Sequence, residues 1–403
     1  MKSIVLLGDG MSDLPHNELE GKTVLQYAKT PNMDYIARHG ECGLAYTVPK
    51  GYHPGSDVAN LSVFGYDPAT CYTGRSPIEA ASMGVHLDPD DIAFRLNLVT
   101  LTANYGKLYM EDFSADHITT EEAREIIKTL QNELGSDDFH FYPGVSYRHL
   151  MVWKGGCDQL TFTPPHDISG QPIDDYLPKG DSAKILINLM NSAQMLLNTH
   201  PVNDLREKAR KLPANSIWLW GHGRKPQMPT MQEKFGISSG SVISAVDLIK
   251  GIGTYAGLDV IDVPGATGYI DTNYSGKAAA ALEALSRQDF VYLHVEAPDE
   301  AAHSGNLKDK LTAVESFDRE VVGPILDGIK QFDTWRVLVL PDHPTPVALR
   351  THTDDPVPYA LLGSQGEFVG GRKASAYSEE EARKTGIVFD KAYLLMAKLL
   401  KRD

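Results

Sequence analysis

Leu338-Val339-Leu340-Pro341-Asp342-His343-Pro344 is an apolar, β-rich run that ends abruptly in an acid and a histidine. Val337–Leu340 reads as a buried strand, which puts Asp342 and His343 just past its carboxyl end. An ionised pair in that position is costly to bury without a partner cation, and a metal ion removes the cost. His352, in Thr351-His352-Thr353, follows through a tight loop, where it suits either a ligand or a histidine satisfied within the loop.

Similar runs recur outward from this one. Ile4–Leu7, Ile217–Trp220, Val260–Val263 and Phe290–Val295 read as strands, and Val24–His39, Ser241–Gly251, Gly276–Ser286 and Leu307–Phe332 as helical stretches beside them. This alternation predicts an α/β fold, a mostly parallel sheet with helices on both faces. Ligands of such sheets bind beyond the carboxyl ends of the strands. The middle of the chain has another character. Leu96–Thr102, Lys107–Met110 and Arg148–Trp153 look like edge strands and hairpins, and Thr119-Thr120-Glu121-Glu122 caps a helix over Thr120–Leu134. Pro164-Pro165 and Pro172 punctuate the exit. The expectation is a smaller α+β domain, residues 96–172, inserted into a core of residues 1–95 and 173–403, with Asp181–Thr199 a helix leading back to that core.

Size and composition bound the function. At 403 residues two domains are expected. A net charge of −15 with no long basic run argues against nucleic acid or an anionic membrane as partner. The three cysteines, Cys42, Cys71 and Cys157, are widely spaced and suit a reducing cytoplasm. The apolar start is too short for a signal peptide and reads as a first strand, and no run approaches membrane-spanning length.

Three further clusters carry metal-ligand or nucleophile chemistry. In Leu7-Gly8-Asp9-Gly10, an aspartate between glycines at a strand end can point into a cleft or cap a turn. In His53-Pro54-Gly55-Ser56-Asp57, Ser56 precedes a helix-compatible run, as an ordinary cap or as a serine whose charge or phosphate the helix terminus stabilises. In Pro298-Asp299-Glu300-Ala301-Ala302-His303, Asp299 and His303 share one helix face and can donate O and N to one ion. Together the clusters supply enough donors for two cations bridged by a serine oxygen, an arrangement suited to in-line displacement.

The order of these motifs resembles the alkaline phosphatase superfamily, in particular its cofactor-independent phosphoglycerate mutase branch in the shorter archaeal-type form. The resemblance rests also on Thr30-Pro31-Asn32-Met33-Asp34-Tyr35-Ile36-Ala37, on Pro54-Gly55-Ser56-Asp57 through Phe64-Gly65-Tyr66-Asp67-Pro68, and on Thr73-Gly74-Arg75-Ser76-Pro77-Ile78-Glu79-Ala80. It implies an alkaline phosphatase-like fold and an isomerase that passes a phosphoryl group through a phosphoserine at Ser56, interconverting 2- and 3-phosphoglycerate. It also implies one divalent ion on Asp9, Ser56, Asp342 and His343, and a second on Asp299, His303 and His352. The ions would be manganese, magnesium or zinc, with no organic cofactor, and Lys277 would assist the nucleophile. The inserted domain would close over a small phosphorylated metabolite and exclude water.

Carboxylate and phosphate call for arginines, and the candidates are Arg75, Arg95, Arg148 and Arg224. The chain departs from the mutase pattern at Asp112-Phe113-Ser114-Ala115-Asp116-His117-Ile118, where archaeal-type members are arginine-rich, and also at Trp220 and Asn60. With Asp116 and His117 facing substrate, an ammonium group is favoured over a second carboxylate. The alternative is therefore a homoserine kinase-like phosphotransferase of threonine biosynthesis. A plain metal-dependent phosphatase would need an open site. A non-catalytic, metal-stabilised protein would be expected to lack Ser56 or a ligand, and none is missing. The expected state is a cytoplasmic monomer or small homo-oligomer.

Overall fold

The computed structural model describes residues 1–368 and 373–401. The chain divides into two compact units, Met1–Tyr72 with Gln227–Asp403, and Thr73–Pro226.

The larger unit is built on an eight-stranded sheet. Its central neighbours are Trp335–Leu340, Lys2–Gly8, Phe290–Val295 and Gly240–Ile243, all parallel, with Asp259–Ile261 beyond them at one edge. On the other side Val357–Gly363 runs antiparallel between Trp335–Leu340 and Glu41–Ala45, and the short strand Val388–Phe389 pairs parallel with the latter. The sheet is mostly parallel, as the alternation of runs implied. Its strands read as unbroken apolar runs because both faces are covered. Ile4, Leu6, Val291, Leu293, Val337 and Val339 share a core with Met33 and Ile36 of the helix Pro31–His39, Ala281 and Leu285 of Tyr274–Arg287, and Val314 and Phe317 of Leu307–Phe317. On the opposite face Tyr292 stacks on Phe64 just past the helix Ser56–Val63, at a centroid distance of 3.8 Å.

Two helical readings change. Ser241–Gly251 is a strand, Gly240–Ile243, followed by a helix that begins only at Asp247. Val24–His39 breaks into Val24–Tyr27 and Pro31–His39, because Pro31 must open a helix and disfavours helical backbone at Thr30.

The smaller unit holds a five-stranded antiparallel sheet. Its axis is the long strand Ile92–Asn104, paired with Lys107–Asp112, Arg148–Trp153 and Ser216–Arg224, while Phe139–Val145 extends the sheet beyond Arg148–Trp153. The helices Thr120–Leu134 and Ala183–Leu197 cover one face, where Ile126, Leu130, Leu186 and Met190 meet Phe94, Leu96 and Trp218. The unit is therefore larger than residues 96–172. Residues 73–95 and 173–226, expected in the core domain, fold here. Ile217–Trp220 lies in a strand that pairs antiparallel with Ile92–Asn104, so it is no member of the parallel sheet, and Ala183–Leu197 packs within this unit. No helix among the described residues is long and apolar enough to cross a membrane.

Candidate functional site

Every residue of the predicted ligand set lies in the larger unit, at the carboxyl end of its parallel strands. Asp9 follows Lys2–Gly8, Asp342 and His343 follow Trp335–Leu340, and Asp299 sits in the helix Ala297–His303 that leaves Phe290–Val295. Topology thus brings together side chains far apart in sequence, at the place where such sheets bind ligands.

These side chains form two adjoining groups. In the first, His343 Nε2 lies 3.3 Å from Asp342 Oδ2, 3.6 Å from Asp9 Oδ1 and 3.1 Å from Ser56 Oγ. In the second, Asp299 lies 3.1 Å from His303 Nε2 and 3.5 Å from His352 Nε2, and the two histidine Nε2 atoms are 2.9 Å apart. Asp9, Asp342 and His343 converge closely enough to share an ion, as do Asp299, His343 and His352.

Three observations fit these groups to cations. Asp9 Oδ1 is buried and has no hydrogen-bond partner. Burial, then the carboxylates of Asp342, Asp299 and Glu296, push the Asp9 carboxyl well above its ordinary value, so the pocket asks for positive charge. The ring nitrogens that face the groups are held by hydrogen bonds behind them: His303 Nδ1 donates to the Arg350 carbonyl (3.0 Å), which turns its Nε2 toward Asp299. Burial lowers the pKa of His343, which suits a neutral ligand. Although burial opposes ionisation of Asp299, hydrogen bonds from His303 and His352 hold it well below the carboxylate range. His303 rises to about 9 in return.

Ser56 opens the helix Ser56–Val63 and is half-buried. Its carbonyl accepts from Asn60 Nδ2, which also donates to Asp342 Oδ2 (2.8 Å), while Asn60 Oδ1 accepts from Tyr292 (2.7 Å). Asn60 thus braces the serine against the ligand carboxylate. Gly10 lies at φ +62°, and a Cβ there would come within 2.6 Å of Asp299 Oδ1 and of Thr345 Oγ1. Only glycine serves at that position. Its N–H donates to Asp342 Oδ1 (3.1 Å).

Sequence reasoning missed several supporting residues. His294, fully buried in the strand Phe290–Val295, contacts Asp9 Oδ2 (2.9 Å) and Ser244 Oγ (3.1 Å). Burial lowers its pKa to about 3, so it is neutral and its Nε2–H donates to Asp9. That bond occupies one Asp9 oxygen and leaves the other for a cation. A histidine inside Phe-Val-Tyr-Leu-His-Val was the available signal. Lys310 carried a comparable one, a lysine on the apolar face with Ala313, Val314 and Phe317. Lys277 is enclosed and donates to the His294 carbonyl (3.1 Å), and burial depresses its pKa to about 8.

The candidate substrate residues lie in the smaller unit. Arg75 and Arg95 both grip Glu79, at 2.8 and 3.2 Å, and Arg95 lies over the Trp220 ring at 4.3 Å. Trp220 meets His166, which meets Phe113, which meets Tyr147. Tyr147 in turn touches His117 and lies under Arg148. Arg75, Arg95, Arg148 and His117, with its neighbour Asp116, thus belong to one chain of side-chain contacts in which Arg95 is buried. Arg224 stands apart. Its Nε pairs with Asp158 (2.7 Å), Nη1 donates to the Asp90 carbonyl (2.8 Å) and Nη2 to the Gly156 carbonyl (3.1 Å), which makes it a loop clamp.

A sequence profile described as 2,3-bisphosphoglycerate-independent phosphoglycerate mutase matches residues 37–203. The protein named "Probable 2,3-bisphosphoglycerate-independent phosphoglycerate mutase" of Geobacter sulfurreducens is 61% identical over 402 residues, covering 100% of both chains. The "2,3-bisphosphoglycerate-independent phosphoglycerate mutase" of Methanosarcina acetivorans is 54% identical over 388 residues, 96% of each. Among solved structures, one titled "Structure of PH0037 protein from Pyrococcus horikoshii" superposes with a TM-score of 0.83 at 31% identity over 100% of this chain and 98% of that one. The "Cofactor-Independent Phosphoglycerate mutase from Thermoplasma Acidophilum DSM 1728" gives 0.70 at 27% identity over 100% and 99%.

Proposed function

The chain belongs to the 2,3-bisphosphoglycerate-independent phosphoglycerate mutase family, and on that premise we propose that it interconverts 2- and 3-phosphoglycerate through a phosphoserine at Ser56. The observation that carries the proposal is Ser56 Oγ lying 3.1 Å from His343 Nε2, at the edge of a buried cluster in which Asp9 Oδ1 has no protein partner.

Asp9, Ser56, Asp342 and His343 would hold one divalent cation, and Asp299, His303 and His352 the other; mixed O and N donors suit manganese, magnesium or zinc. Divalent cations held there would supply positive charge that lowers the serine pKa and offsets the charge on the phosphoryl group in transfer. The protein's own part is positioning. Asn60 and the first turn of the helix Ser56–Val63 fix the serine, and the helix terminus favours the charge it takes on. Ser56 Oγ gives up its proton and bonds to phosphorus as the bond to the glycerate oxygen breaks, and that oxygen takes up a proton. Return of the phosphoryl group to the neighbouring hydroxyl reverses both changes, so turnover is proton-neutral. Arg75, Arg95 and Arg148 supply the cationic donors that a phosphate and a carboxylate require.

A coupled assay with added manganese tests this. Turnover of 3-phosphoglycerate is expected, with no phosphate transfer to homoserine. Ser56→Ala is expected to abolish turnover while the metal-free fold is kept. Transfer to homoserine alone would reject the mutase, and turnover by Ser56→Ala would remove the serine from the reaction.

A further inference from the structure

One hydroxyl stands between the two ligand groups. Thr345 Oγ1 donates to Asp299 Oδ1 (2.5 Å) and lies 3.2 Å from His343 Nδ1. A hydroxyl has a single proton. With that proton on Asp299, the Thr345 oxygen can only accept from His343, so His343 carries its proton on Nδ1. The His343 Nε2 lone pair is thereby turned toward Asp9, Asp342 and Ser56. Asp299 belongs to the second group, while His343 belongs to the first and also lies close enough to share an ion with Asp299 and His352. Thr345 is fully buried, so water does not compete for either bond.

Thr345 also has little freedom to move. Its N–H donates to the Ser12 carbonyl (3.2 Å) and its own carbonyl accepts from Lys310 Nζ (2.8 Å). Lys310 is fully buried and places its other protons on Asp13 Oδ2 (2.8 Å) and the Ser12 carbonyl (3.1 Å), so its three donors meet three acceptors. The loop after the first strand and the loop carrying Asp342 and His343 are thus locked to each other beneath the hydroxyl.

We propose that Thr345 is a positioning residue that couples the two cation sites, so that filling one set of ligands pre-orders the other. The inference rests on the two-ion reading given above. A cation on His343 Nε2 makes Nδ1–H a stronger donor to Thr345, and the polarised hydroxyl then holds Asp299 more firmly. Ordering achieved for the first ion is not repeated for the second. Such linkage is reciprocal.

The test is titration of the metal-free full chain with Mn²⁺ alone, followed by calorimetry and by the electron paramagnetic resonance of the bound ions. Wild type is expected to take two ions, each tightening the other. Thr345→Val, equal in shape but without the hydroxyl, is expected to bind roughly 10–100-fold more weakly, the usual effect of losing a ligand-orienting partner, and without linkage. Thr345→Ser, which keeps the hydroxyl, is expected to restore both. Circular dichroism of the metal-free variants separates misfolding from the effect sought, and Thr345→Ala replaces the valine variant if that one fails to fold. Wild-type affinity and linkage in Thr345→Val would overturn the inference, as would uptake of two unlinked ions by wild type. Uptake of fewer than two ions by wild type would instead overturn the two-ion reading beneath it.

Discussion

Lys277 shows how burial turns one side chain into a sensor of pH. Its ammonium, ordinarily titrating at 10.5, is desolvated to a pKa of about 8. Between those values the unfolded chain holds a proton that the folded chain has released. Stability therefore rises with pH across the window, is fully present above it, and is lost as pH falls through about 8. Lys277→Met is expected to flatten this dependence in chemical denaturation and to remove an inflection near 8 from the pH profile of kcat/KM. A variant that keeps the inflection would take Lys277 out of the reaction. Residues of this kind divide by how visible they are in sequence. Asp9, Asp299, Asp342 and His343 could be read there because an acid or a histidine after an apolar run has few structural uses. Thr345 and Ser244 could not, because a hydroxyl gains its role from partners that only the fold supplies, such as Asp299 and His294.

Among the local elements, the turn after Lys107–Asp112 carries the most strain. Ala115, Asp116 and His117 have φ values of 49°, 56° and 46°, a left-handed run without a glycine. Such backbone costs L-residues about 1–2 kcal/mol each. The run is pinned from within: the buried Arg206 donates to the Ala115 carbonyl (2.5 Å) and pairs with Glu122 (2.6 Å), while Ser114 Oγ accepts from the His117 N–H (3.1 Å). Strain held in this way is a common property of functional loops. Asp116→Gly is accordingly expected to raise thermal stability by up to about 1 kcal/mol while lowering KM for phosphoglycerate, since it removes an acid that would face an anionic substrate. A gain in stability with no change in KM would leave Asp116 without a substrate role. Helices and strands were legible to the extent that their causes are local. Thr120–Leu134 matches its sequence reading to the residue because Thr119 and Glu122 form a capping box and the apolar spacing has one period. Ser241–Ile243 carries a helical pattern in sequence because Val242, Val246 and Ile249 share one helix face, and only pairing with Phe290–Val295 makes it a strand.

At the scale of the molecule, the two units have separate cores, and the side chains proposed to hold cations all lie in one of them. Three of the four tryptophans, Trp153, Trp218 and Trp220, lie in Thr73–Pro226, and every proposed cation ligand lies in the other unit. Ligand binding stabilises the folded state by mass action, about 2.7 kcal/mol at a hundred times Kd for one site. Chelation is therefore expected to lower the unfolding transition seen by far-ultraviolet circular dichroism and to leave the transition seen by tryptophan fluorescence nearly unchanged. A common shift of both would show that the units unfold together. The boundaries of the smaller unit were not legible because its last strand, Ser216–Arg224, joins Ile92–Asn104 across more than a hundred residues and no local pattern announces that pairing. The same pairing sets the unit's two ends side by side: Thr73 Oγ1 donates to the Arg224 carbonyl (2.6 Å), and a Cβ on Gly74 would come within 2.2 Å of the His222 carbonyl oxygen. A segment that starts and finishes at one spot behaves as a removable cassette. Excision with the flanks rejoined by a few residues is expected to leave the eight-stranded sheet of the larger unit able to form, since every strand of that sheet lies outside Thr73–Pro226.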